Sequence, residues 1–439
     1  MALSDDEKVM RNSTGQAIEQ RLREIRNALM PREGGTIYGF HIDSSESDGP
    51  AAVTYLADAV GMTPAAMNYT SSLFNWGSWR DAFFIPRPCM LKYDGTVDYY
   101  LDPNDYSKKY DGVTASDIAD PDYGGNAMME WGQNGKIIWY KIVPDDNDPT
   151  SASVYIADYQ ADEDFVAWSF INNQGQMVDH FYTPIYNGSL DTAGRLRSLS
   201  GIAAGSICQS KNATAEFNAA RLNNPGTDIL WNTEVWCDNV LIILLLYLMG
   251  KSLDTQTVFG NGRINNSSNM IGTGTMNDKG LFWGGNGNND GVKVFGMENF
   301  WGNQWRRFCG LVNVSGTSKY KMTRGTEDGS EATDYLVSTT GADYAGYKTG
   351  PALPAASGSY IRAETFNADC MIPTDVTGGS STSYYYDALW TNNSQCDYAC
   401  RGGNSNNGAN VGAAYLHLAH AASDASWGIG AAPSCKPLS

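Results

Sequence analysis

Positive charge is scarce in this sequence. Thirty Lys and Arg stand against 48 Asp and Glu, which leaves a formal net charge of −18. Contact with nucleic acid or an anionic membrane requires a basic footprint, so neither partner is expected. Long apolar runs are missing too. The longest, Val240 to Met249, is about half of a membrane span and reads as a buried core helix, without membrane insertion. Met1 to Glu7 has neither the basic nor the apolar region of a secretory leader, so synthesis in a cytoplasm is expected. Eight cysteines scattered over such a chain, in a reducing compartment, predict no disulfide framework. With only four histidines no zinc pattern emerges, and no metal or cofactor is expected.

What is present points to a loop-rich protein. Charged residues make up only 18% of the chain, while there are 47 glycines and aromatics reach 12%, a mixture unlike that of helical bundles. The expected fold class is α+β, in three parts. Residues 1–30 form an N-terminal helix, with Ile18, Leu22, Ile25 and Leu29 spaced as the seam of a short oligomerising stalk. Residues 31–195 form a β-rich middle domain: Thr36–Ile42, Lys136–Val143 and Ser153–Ala157 read as strands, Ala51–Val60 as a short helix, and the Asp-rich turns as solvated. Residues 196–439 open with helical patterns over Ala213–Leu222 and Asn232–Met249, then become rich in Gly, Asn and aromatics.

Two stretches carry a resemblance. One is Gly291 to Arg307, containing Gly302-Asn303-Gln304-Trp305. The other is Arg401-Gly402-Gly403-Asn404, followed by Ile429-Gly430-Ala431 and Ser434-Cys435-Lys436. Together they resemble the formylglycine-generating-enzyme branch of the C-type lectin fold, and within it the variable proteins of diversity-generating retroelements. Tyr38 to Asp43 and Asn126 to Gly132 are similar to the attachment portion of gut-phage tail proteins of that kind. The resemblance implies a C-terminal C-type-lectin-like domain over 196–439 and a receptor-binding protein at a phage tail tip. Its partners would be a bacterial surface protein or glycan receptor and other phage tail proteins, and it would be located in the virion. A bacterial cell-surface display protein is the alternative. Enzymes of the branch hold copper on a Cys pair that follows Arg-Gly-Gly. Here Cys396 and Cys400 precede it, so no catalytic residue is assigned and a copper-dependent oxidase is the least favoured reading. Calcium-dependent sugar binding would need Glu-Pro-Asn and Trp-Asn-Asp, and neither occurs.

The resemblance also implies a hypervariable face. Asn codons mutated at both adenines reach Asp, His, Tyr, Ser, Ala and Gly but not Trp, Lys or Glu. The stretch His417 to Gly428 alternates apolar residues with members of that set and holds two of the four histidines. The expected ligand-binding face is Tyr386, Asp387, Asn392, Asn404, Ser405, Asn406, Asn407, Asn410, His417, Ala419, His420, Asp424, Ala425, Ser426 and Gly428. Trp305, Trp427 and Ile429 are expected to be buried scaffold. His417 and His420 read as a surface binding pair rather than a metal pair. The Ile-rich seam predicts a homotrimer. Light scattering coupled to size exclusion should return three times the chain mass at micromolar protein, and a clean monomer would refute it.

Overall fold

The computed structural model describes residues 35–207, 210–324 and 334–438. The chain divides after Thr36, and Ile37 onward is one compact unit. The helix and seam expected over 1–30 lie outside the described residues. The α+β expectation is corrected: the fold is mostly β, with 35% strand against 12% helix. The physical reason is that the helical patterns are few and short, while Gly- and Asn-rich turns break the remaining chain into strands of two to ten residues. Ala51–Val60 is also corrected, since Val53–Ala57 is a strand paired to Ile37–Ile42. Its Val and Tyr alternate inward with Thr and Leu facing more outward, a period of two that a helix cannot satisfy.

Three sheets carry most of the backbone. A four-stranded antiparallel sheet runs Val53–Ala57, Ile37–Ile42, Asp148–Ala157, Trp139–Asp145. A seven-stranded sheet runs Trp231–Thr233, Pro433–Cys435, Phe181–Pro184, Gly125–Trp131, Arg87–Lys92, Val97–Asp102, Asp105–Lys109. It takes strands from both sides of residue 195, so the expected domain boundary runs through a shared sheet. The third sheet has eight strands. Its central part is Trp305–Val314, Cys396–Arg401, Leu416–Leu418 and Ala388–Thr391, and Ile429–Gly430 adds in parallel to Trp305–Val314.

Three α-helices complete the described residues: α1 (Ala213–Arg221), α2 (Trp236–Gly250) and α3 (Thr255–Phe259). Every residue of α2 is buried. A helix that is apolar on all sides has no solvent face and must sit at the centre of the fold. The one acid of its first turn, Asp238, is matched by Lys436 at 3.1 Å. Helix α1 is amphipathic and starts at Asn212, whose side chain accepts the amide hydrogen of Ala215.

The resemblance stretches fall where the second and third sheets meet. Arg306 and Arg401 lie directly opposite each other on neighbouring strands, and both are buried. Like charges in that position repel. Glu234, just before α2, accepts from Arg401 Nη2 and, at 3.4 Å, from Arg306 Nη1. Arg306 also donates to the carbonyls of Glu298 and Asn299, and Arg401 donates to the carbonyl of Phe300 while its guanidinium stacks 3.7 Å over that ring. One carboxylate thus neutralises two buried cations. Removing it should cost about 3–5 kcal/mol, the usual penalty for breaking a buried ion pair. Urea denaturation of Glu234→Gln should show a large drop in midpoint, while Lys141→Ala, at an exposed ion pair, should leave the midpoint in place.

Candidate functional site

Strand alternation places Trp305, Arg307, Cys400, His417 and Trp390 on one face of the eight-stranded sheet. His417 pairs with Trp390 on one side and with Cys400 on the other, and Cys400 pairs with Arg307. The stretch 419–428 returns across this face and closes on the two central strands, Trp305–Val314 and Cys396–Arg401. Trp305 N–H donates to the carbonyl of Gly428, and Tyr398 N–H donates to that of His420.

The centre of the site is an aromatic stack. His417 and His420 lie parallel, with ring centroids 4.2 Å apart and planes 9° apart. Trp390 stacks on the other side of His417 at 5.5 Å and 14°. Trp305 leans against both imidazoles at 4.8 and 5.4 Å, and its Nε1 donates to the Tyr415 hydroxyl at 3.0 Å. The Ala419 amide donates to His417 Nδ1 at 3.4 Å, so that nitrogen carries the lone pair and Nε2 the proton. His420 Nδ1 lies 3.2 Å from Asp424 Oδ2, which fixes the opposite tautomer. Burial pulls His417 well below the usual imidazole range, helped by the charge His420 would carry; burial lowers His420 too, against the pull of Asp424. Both rings are therefore neutral at neutral pH.

Beneath the stack, Arg307 holds the loop to the scaffold. It donates to Glu216 of α1 at 2.8 Å, to the carbonyl of Lys211 at 2.8 Å and to the carbonyl of Asp424. Burial pushes the Glu216 carboxyl up to about 7, with Arg307 opposing the rise. Nearby, burial pushes Asp397 up to about 6.

The residues expected on the face separate into three groups. Ala419, His420, Asp424 and Ser426 are half-buried and Ala425 exposed, all on the returning stretch; Asn406 is exposed and Asn407 half-buried on the neighbouring loop. Asn392 is half-buried beside them, its amide bound to the carbonyl of Leu418. A second group belongs to the site but not to its surface, which corrects the expectation of exposure. His417 is buried in the stack, while Asn404 and Gly428 are buried against each other so closely that a Cβ on Gly428 would lie 2.3 Å from Asn404 Nδ2. The third group lies elsewhere. Ser405 is buried with its hydroxyl on the carbonyl of Ser267, the side-chain oxygen of half-buried Asn410 is enclosed, Tyr386 packs near Gly49, and Asp387 is fully buried. Ile429 is buried as expected, but Trp305 and Trp427 are half-buried.

Sequence reasoning missed Trp390 and Tyr415, and it assigned Trp305 to the core alone. Their neighbours in space are far away along the chain, and they are brought together by the pairings of Trp305–Val314 with Cys396–Arg401, of Cys396–Arg401 with Leu416–Leu418 and of Leu416–Leu418 with Ala388–Thr391. The cysteine pair is also decided here. Cys396 and Cys400 stand four residues apart on one strand, about 13 Å at strand rise, so they cannot share one ion. The seven described cysteines are buried free thiols. The sequence matches no protein-family model and no curated protein.

The imidazole stack predicts an acid sensitivity. A histidine whose folded pKa is depressed contributes stability above its unfolded value, about 6.5, that is lost as pH falls toward the folded value. His417→Phe keeps a flat ring but no proton site. Urea midpoints of the two proteins should stay parallel at pH 7 and above, and the wild type should lose ground to His417→Phe below about pH 6. Parallel curves throughout would remove the buried imidazole as the cause.

Proposed function

We propose that this chain is a receptor-binding protein that recognises a bacterial surface protein or glycan, works at a phage tail tip and performs no catalysis. One observation carries the reading: polar loops at 404–407 and 419–428, with Asn406, Asn407 and the margin residues of 419–426 outward, edge an aromatic and imidazole platform built on a rigid sheet. Aromatic side chains give contact area at little entropic cost, and Asn, Ser and Asp give adaptable hydrogen bonds, the combination found in antibody paratopes. Loops on a rigid support tolerate sequence change while the scaffold stays in place. The platform has the same division of labour: Arg307, Asn404, His417 and Gly428 hold it, and Asn406, Ala419, His420, Asp424, Ala425 and Ser426 face outward or lie at its margin. The resemblance of Gly302–Trp305 and Arg401–Gly403 to retroelement variable proteins points the same way. A homotrimer, repeated around a particle, would turn modest affinity per site into tight attachment.

A library tests the reading. Randomising Asn406, Ala419, His420, Asp424, Ala425 and Ser426 should leave most members folded, with shifts of about 0.5 kcal/mol per exchange. Binding to a panel of bacterial cells should change from member to member. Randomising Asn404, His417 and Gly428 instead should lower the melting temperature of most members. A library that folds throughout and binds every cell alike would place the receptor site elsewhere.

A further inference from the structure

Beside the candidate face, α1 and the hairpin Ser189–Leu190/Leu196–Arg197 enclose a pocket of about 280 Å³. Leu190, Ala219 and Leu222 form its apolar wall, Lys211 and Asn218 stand exposed at its rim, and the buried Glu216 lines its inner side. The pocket adjoins the returning stretch 419–428. The amide of Ala213, the first residue of α1, donates to the carbonyl of Ala422 at 2.9 Å, and that of Ser210 to the carbonyl of Ser426 at 2.8 Å. Arg307 joins Glu216 itself to the carbonyl of Asp424.

Glu216 limits what can enter. Its side chain is 1% exposed, and Oε2 accepts from Arg307 at 2.8 Å. Its other oxygen, Oε1, has no hydrogen-bond partner among the described residues. A polar atom left unpaired in a dry place is costly, so a ligand that brings a donor gains a bond the fold leaves unmade. Charge balance requires that ligand to be neutral. Glu216 and Arg307 already cancel each other, and a third full charge buried beside them would have no counterion. Lys211 and Asn218 offer hydrogens to ligand oxygens, and the wall calls for an apolar surface on the same molecule. Size sets the last limit. A dry cavity of about 150 Å³ takes a benzene. The volume here, about 280 Å³, therefore admits one six-membered ring with its substituents.

A hexose meets all of these conditions. Its hydroxyls donate to a carboxylate and accept from an ammonium and an amide, its C–H face suits leucine and alanine, and it carries no charge. Leu190 and Leu222 are exposed at the mouth, so neighbouring sugars can run out into solvent. We propose that this pocket binds one neutral sugar unit of a bacterial surface glycan, with Glu216 Oε1 accepting a ligand hydroxyl. The receptor-binding reading underlies this site and is narrowed by it, from protein or glycan to glycan. A constant anchor would then sit beside a changeable margin, as energetic anchors do in pockets surrounded by weaker contacts.

Saturation-transfer NMR on the full chain tests the pocket, with millimolar methyl glycosides of glucose, galactose, mannose, rhamnose and N-acetylglucosamine as probes. At least one should receive saturation from the protein. Ala215→Leu fills the pocket from the exposed side of α1 and leaves the Glu216–Arg307 pair in place, so it should abolish the transfer without lowering Tm. Cells that bind the wild type are then treated with periodate, which cleaves sugar diols, or with protease. Binding should be lost after periodate, kept after protease, and lost in Ala215→Leu. No transfer to any probe, or transfer that persists in Ala215→Leu, would overturn the pocket. Binding that survives periodate but not protease would leave a receptor-binding protein whose receptor is a protein, and the sugar site would fall. Binding to no cell would sink the receptor-binding reading and the glycan assignment with it.

Discussion

Two guanidinium groups buried face to face would drive neighbouring strands apart, and the carboxylate of Glu234 prevents it. Arg306 belongs to Trp305–Val314, Arg401 to Cys396–Arg401, and Glu234 follows a strand of the other large sheet. One anion therefore joins two sheets and the start of the central helix. Replacing such a triad wholesale with apolar residues often costs little, but removing one member leaves charge stranded. The rest of the molecule is arranged around that constraint. Phe300 packs beneath one guanidinium, and the carbonyls of Glu298 and Asn299 take the hydrogens of the other.

Alternation along a strand carries this anchor outward. Arg306 points into the core, so the next residue, Arg307, points to the opposite face. There it meets Glu216 and the carbonyl of Asp424, and so fixes the stretch that supports His420. A dipeptide of two arginines thus links the rigid centre to the candidate recognition face. The face is not assembled from loops alone. Its floor, the rings of Trp305, Trp390 and His417, belongs to strands of the sheet, and only the margin, from His420 outward, is free to vary.

Several features were legible in the sequence. The ten-residue run Val240–Met249 contains no polar residue apart from Tyr247, and its burial as helix followed from that composition. The helical spacing of Ala213–Leu222 and the strand character of Ile37–Ile42 were also readable, because local periodicity reports which side of an element is dry. The α+β class was not, since weight given to two helical segments understated how many short strands the Gly- and Asn-rich chain would form. Ala51–Val60 misled for a related reason: its small residues suit a helix, but pairing with Ile37–Ile42 outweighed that preference.

The sequence by itself determined the net charge, the apolar helix, the turn-rich β character and the polar composition of 404–410 and 417–428. Each of these depends on residues close together in the chain. Tertiary structure alone decided which of those polar residues face water. His417 alternates in the chain as a surface residue would, yet Trp390 and Trp305 enclose it from strands some 27 and 112 positions away, by pairings of a kind no local pattern encodes. Asp387 was drawn inward in the same way, and its carboxylate accepts the Ala414 amide in the core. Side-chain burial is a property of what arrives from elsewhere, and register between distant strands sets what arrives.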